Sequence, residues 1–216
     1  MSMERIHAII REAGVEFKER LERIEEKFGH LPEESYARYL SMQFHLTNGV
    51  QRHFLTCAAH PDFSHKSRLR EFLVRFAFEE ELHFKIAEKD LENMGRKPHP
   101  ITLDTRLWWS FFDGEVRERP LVRLGATCIL ENITTEGSAV IDRILSASRY
   151  LNSRNSKFVT IHRHGTELPH GDQILEELQA AELSTSQWAQ VEEGAIVGKT
   201  LYLRQATWAL TGETVF

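Results

Sequence analysis

The chain has 216 residues, 41% of them hydrophobic, and a formal net charge of -5 with a pI near 6.1. That length suits one domain with a sizeable core, and the acidic balance argues against a protein that coats phosphate backbones, so nucleic acid is not an expected partner. Cys57 and Cys128 are too few for a disulfide framework or a cysteine-rich zinc site, and no apolar run reaches the length of about 18 residues that a membrane span needs.

Six prolines and twelve glycines leave long stretches of Glu, Leu, Arg, Ala and Lys with apolar residues three and four apart. A heavily charged first helix is expected over residues 2–28, burying one narrow face. Its start, MSMERIHAIIREAG, has no apolar core of a leader segment. With two buried thiols in a reducing compartment, that gives the expectation of a soluble, cytoplasmic protein.

A second helix is expected over 32–60, opened by Pro32 in its first turn, and a third over 67–94, stopped at Gly95. A short element over 107–112 carries Trp108, Trp109, Phe111 and Phe112. A fourth helix is expected over 120–151 and a fifth over 155–183, with a break at 165–169. The last starts at Ser184 as N-cap with Gln187 behind it and runs to 210. No stretch alternates with period two. The expected fold is therefore all-α: a single-domain bundle of about seven helices over residues 1–216, in which residues 1–30 form a charged helix laid on the bundle and offer a face for a homodimer.

The segment FLVRFAFEEELHFKIAEKDLENMG, residues 72–95, is the most informative. On one helix Phe72, Phe76, Glu80, His83 and Ala87 form a single stripe. A carboxylate in such a stripe needs a cation, because an unpartnered buried charge costs several kcal/mol. Glu and His three apart lie about 60° apart around a helix and can reach one metal ion. Alone, the spacing is common, and a histidine at the core's edge beside solvated glutamates would explain it. The spacing recurs, however, at Glu167 and His170 in HRHGTELPHGD, which puts His162, His164 and His170 within nine residues. The third segment is ILENITTEGSAVIDRIL. There Leu124, Cys128, Glu131, Thr135 and Ser138 would share a face of mostly small residues around a carboxylate; Glu136, in line with Ile129 and Val140, competes, and Glu131 is preferred. Carboxylates and imidazoles without thiolates suit iron or manganese, and this many donors suffices for two ions.

These three segments together resemble the heme-oxygenase-like diiron oxidases, which share their fold with heme oxygenase and the TenA thiaminases. The similarity spans roughly residues 33–210. The resemblance implies two non-haem iron ions held by Glu80, His83, Glu131, Glu167 and His170. A further histidine is expected four residues before the acid; Arg163 stands there, so His164, or His162, takes that place. It also implies that O2 and a small-molecule substrate meet at the irons, with oxidation of an amino-acid or fatty-acid-derived metabolite by N-oxygenation, oxidative carbon-carbon cleavage or desaturation.

Four other readings compete. A ferritin-like diiron protein needs a carboxylate on the helix preceding the first motif, but no acidic residue lies between Glu34 and Asp62. Heme oxygenase needs an axial histidine and a glycine-rich helix, of which His7 and Gly137 are weak echoes. A TenA-like thiaminase needs a nucleophilic thiol near the cavity, for which Cys128 is the candidate. A helical binding protein would leave all these histidines as ordinary core or surface groups.

Overall fold

The structure, a computed structural model, describes residues 3–164 and 170–214, the side chains of residues 162–164 and 170 excepted. The described residues form eleven α-helices and no β-strand. In chain order these are α1 (Met3–Phe28), α2 (Glu33–Thr47), α3 (Gln51–Ala59), α4 (Ser67–Glu80), α5 (His83–Asn93), α6 (Leu103–Glu118), α7 (Pro120–Asn132), α8 (Ser138–Ala147), α9 (Lys157–His164), α10 (His170–Ala180) and α11 (Thr185–Thr211). A 3-10 turn at Pro61–Phe63 joins α3 to α4. No described helix is long and apolar enough to cross a membrane.

The count exceeds the expected seven because four expected helices are each present as two, the one over 155–183 as α9 and α10. The segment 32–60 breaks at Gly49, whose φ of 91° lies in the left-handed region that glycine reaches without strain. The segment 67–94 breaks between Glu80 and His83, where Leu82 (φ -108°, ψ 2°) leaves the helical region. The segment 120–151 breaks after Asn132 and resumes beyond Gly137. At the last helix the expected cap is present as a full capping box: Ser184 Oγ accepts from the Gln187 amide, and the Gln187 side chain accepts from the Ser184 amide.

The centre of the bundle is the contact between α7 and α11. Gly194 and Gly198 of α11 meet Val122 and Ala126 of α7, while Gly125 of α7 meets Val191 and Ala195. Only hydrogens separate the two backbones, as in the small-xxx-small packing of closely approaching helices. Around this pair, α1 buries Ile6, Ile9, Ala13, Phe17, Leu21 and Ile24 against α11, α7 and α8. Helix α2 packs on α5 and α11, α3 on α4, and α10 on α7 and α4. Two apolar clusters result, one around Phe17, Tyr36 and Trp108 and one around Phe54, Phe72 and Phe76.

A Cβ on Gly194 would fall inside the van der Waals surface of Val122 O. Gly194→Ala should therefore destabilise the fold by about 1–3 kcal/mol, although alanine is the better helix former by about 1 kcal/mol. Urea unfolding of the two proteins measures the sign.

Candidate functional site

A cavity of about 100 Å³ lies where the two clusters meet, with Glu80, Glu131, Arg123, Tyr39 and Tyr202 on its wall. Glu80 ends α4 and is 6% exposed, whereas its neighbours Glu79 and Glu81 face solvent. It is buried because Phe76 and Phe72, one and two turns earlier on the same face, enter the core. His83 opens α5, and its Nδ1 lies 2.8 Å from Glu80 Oε2. The helix between them is broken, yet the three-residue spacing still brings the two side chains together. That separation matches two donors on one ion, which sit about 3 Å apart when each is bound at about 2 Å.

Helix α7 supplies the opposite wall. Its buried face carries Arg123, Thr127 and Glu131 at four-residue steps, a polar stripe on an otherwise apolar helix. The face expected from sequence was a different one. Leu124 and Cys128 enter the second apolar cluster, and Thr135 and Ser138 are exposed beyond the end of α7. Glu131 nevertheless lines the cavity. Glu136 is exposed on the outside of the bundle, with its side chain against Gly14 of α1.

Glu167 lies outside the described residues, as do the side chains of His162, His164 and His170. The helices that carry the histidines are fixed beside the cavity. Asp90 of α5 accepts a 2.7 Å hydrogen bond from the Phe158 amide in the first turn of α9. At the start of α10, Gly171 lies against the Asn132 side chain, one residue beyond Glu131. Among the described residues no three His, Cys, Asp or Glu side chains converge on one point. Glu80 and Glu131 on the wall of a cavity with no thiolate, and His83 on Glu80, are donors of the type iron takes.

The sequence reading missed Arg123, His53 and Asp113. Arg123 is 1% exposed. Its Nε donates to His53 Nδ1 at 3.2 Å and its Nη1 to Thr127 Oγ1 at 2.7 Å, and its guanidinium lies 5.0 to 5.7 Å from the Phe54, Trp108 and Phe112 ring centres. Those faces stabilise a cation. Burial brings the guanidinium down only to about 10, so it stays charged at neutral pH. The signal was available in PLVRLGATCIL, an apolar stretch of α7 in which Arg123 is the sole charge.

Since His53 Nδ1 accepts from Arg123, Nε2 carries the proton and donates to Asp113 Oδ1 at 2.8 Å. Arg52 clamps the same carboxylate at the surface. On the other wall Gln43 Nε2 donates to Tyr202 Oη at 3.2 Å. Burial pushes the Tyr39 phenol up to about 12 and Tyr202 well above its ordinary value, so both remain protonated.

Two of the competing chemistries lose their residues. His7 is exposed on α1, and Gly137 packs on Leu21 and Lys18, so neither faces a haem-sized chamber. Cys128 is off the cavity wall and burial pushes its thiol up to about 12, the opposite of what a thiolate nucleophile needs.

The described helices form an all-α bundle with a heme-oxygenase-like fold. A solved structure of a domain of unknown function with a heme oxygenase-like fold, from Shewanella denitrificans, aligns with a TM-score of 0.81 at 15% sequence identity, covering 100% of this chain and 99% of that one. No protein-family model and no curated protein matches the chain.

Burial, with the Arg123 charge added to it, holds the His53 imidazole down to about 4 from its ordinary 6.5. The native state keeps His53 neutral over that window while the unfolded chain takes up a proton. Stability should therefore fall as pH drops from about 6.5 towards about 4. Urea midpoints measured across the window should show the slope, and His53→Gln should flatten it.

Proposed function

We propose that this chain is a non-haem diiron oxidase that uses O2 to oxidise a small amino-acid or fatty-acid-derived metabolite, with iron held by Glu80, His83, Glu131, Glu167, His170 and His164. The observation that carries this reading is the pair of carboxylates Glu80 and Glu131, from helices far apart in sequence, on the wall of one buried cavity, with the His83 imidazole on Glu80. Glu80, 6% exposed, is costly there unless a cation offsets it, and the half-buried Glu131 adds a second negative charge to the same wall.

Bound iron would supply the binding and reduction of dioxygen. The chain's own residues supply the setting. Glu80 and Glu131 offset the ions' charge. The 2.8 Å contact of Glu80 Oε2 with His83 Nδ1 holds the two side chains side by side, as two donors to one ion would sit. The Tyr39 and Tyr202 hydroxyls, both protonated, are hydrogen-bonded to each other and to Gln43 on the cavity wall, and the surrounding Phe54, Phe158 and Leu46 keep bulk water from it.

Protein reconstituted anaerobically with Fe(II) should hold about two irons per chain and consume O2 once substrate is supplied. A Glu80→Ala, His83→Ala double variant should lose most of that iron while keeping its helical circular dichroism. Metal analysis decides: full iron content in the double variant would remove the ligand assignment.

A further inference from the structure

We propose that the outward face of α4, with Leu55 of α3 beside it, is the surface on which a second copy of this chain docks, the two α4 helices running antiparallel about a two-fold axis near Phe78. The proposal does not depend on the metal reading above.

The first observation is the apolar content of that face. Phe78 and Leu82 are the most exposed large apolar side chains among the described residues, at 68% and 62%. Val74 precedes Phe78 by one turn and Leu82 follows it by one, so the three form a stripe opposite the face that α4 buries through Leu69, Phe72, Leu73 and Phe76. Helix α3 packs on α4 and brings Leu55 to the same shallow groove. A single exposed leucine needs no explanation, but a contiguous apolar patch of a few hundred Å² marks a surface that another molecule covers.

The second observation is the order of the charges along the stripe, and it selects the occupant. On one edge Glu71, Arg75 and Glu79 follow at four-residue steps; on the other Arg70 stands towards the start of the helix and Glu81 just beyond its end. Antiparallel helices related by a two-fold axis set each edge against itself in reverse order. A crossing near Phe78 therefore brings Val74 against Leu82 of the second copy, Arg75 against its Glu79, and Arg70 towards its Glu81. Opposite charges meet on both edges. Arg75 already lies 3.9 Å from Glu79 of its own helix, so the pairing would build a network of four charges rather than a single exposed pair. The carboxylates of Glu71, Glu79 and Glu81 disfavour an anionic lipid surface as the occupant. Helix α1 shows no such stripe: Val15 and Phe28, its exposed large apolar residues, stand far apart, and the chain itself supplies ion pairs to it, Glu192 to Arg5 and Lys199 to Glu12.

Sedimentation equilibrium of the full chain from about 1 to 200 µM spans the range in which an interface of this modest size should associate. A dimer is expected at the upper end. Phe78→Glu should be monomeric throughout with unchanged helical circular dichroism. Arg75→Glu should weaken the dimer several-fold, and Arg75→Glu combined with Glu79→Arg should restore it, because the swapped charges still meet across the axis. Both native thiols are buried, so Phe78→Cys should give a disulfide-linked dimer on oxidation. A wild-type chain that stays monomeric at 200 µM overturns the proposal, whatever else docks on this face. A dimer undiminished in Phe78→Glu, or a dimer in which Phe78→Cys does not cross-link, places the interface elsewhere and overturns it too. Failure of the charge-swapped variant to recover overturns the antiparallel register. If Phe78→Glu does not fold, the cross-link decides.

Discussion

The backbone contact between α7 and α11 is the constraint on which the rest of the molecule depends. Glycines 125, 194 and 198 let the two helices approach without intervening side chains, and that closeness turns the polar stripe of α7 inward to a shared cavity. A wider spacing would add room at the centre of the bundle, and Arg123, Thr127 and Glu131 would then meet water instead of one another. The same contact sets the place of α10, because α10 packs on α7 and reaches Asn132 at its first turn.

Burying charge at this centre is a local cost that the fold has to offset. Arg123, Glu80 and Glu131 are three ionisable groups around about 100 Å³, each of which costs several kcal/mol to remove from water without a partner. The fold meets part of that cost locally. Aromatic faces and the His53–Asp113 link hold the arginine, and the His83 imidazole holds Glu80. Apolar replacements of similar volume would be cheaper, so the retention of three charged groups at one cavity points to chemistry or binding rather than to stability.

Much of the helical content was legible because it is local. Helix α11 shows this best: its N-cap serine, its Gln187 partner and its terminating Gly212 are all sequence signals with a backbone cause. The breaks were harder to read. At Glu81–Leu82 neither glycine nor proline marks the interruption, and the helix ends there because α4 and α5 pack on different neighbours, α3 and α2. On α7 the sequence pointed to the face of Leu124 and Cys128, since small and apolar residues dominate it. The cavity is instead on the adjacent face, which the apolar periodicity of a helix buried all round cannot distinguish.

The sequence by itself determined the all-helical class and the Glu80–His83 pairing, since a three-residue spacing acts through bonds and turns within a few ångströms. Only the tertiary structure decided that Glu131 rather than Glu136 shares the cavity with Glu80, and that Arg123 stands between them and the His53–Asp113 link. Those relations join residues 40 to 80 positions apart in the chain. They exist because glycine-mediated packing of α7 on α11 fixes which face of each helix turns inward, and no periodicity along a single helix carries that information.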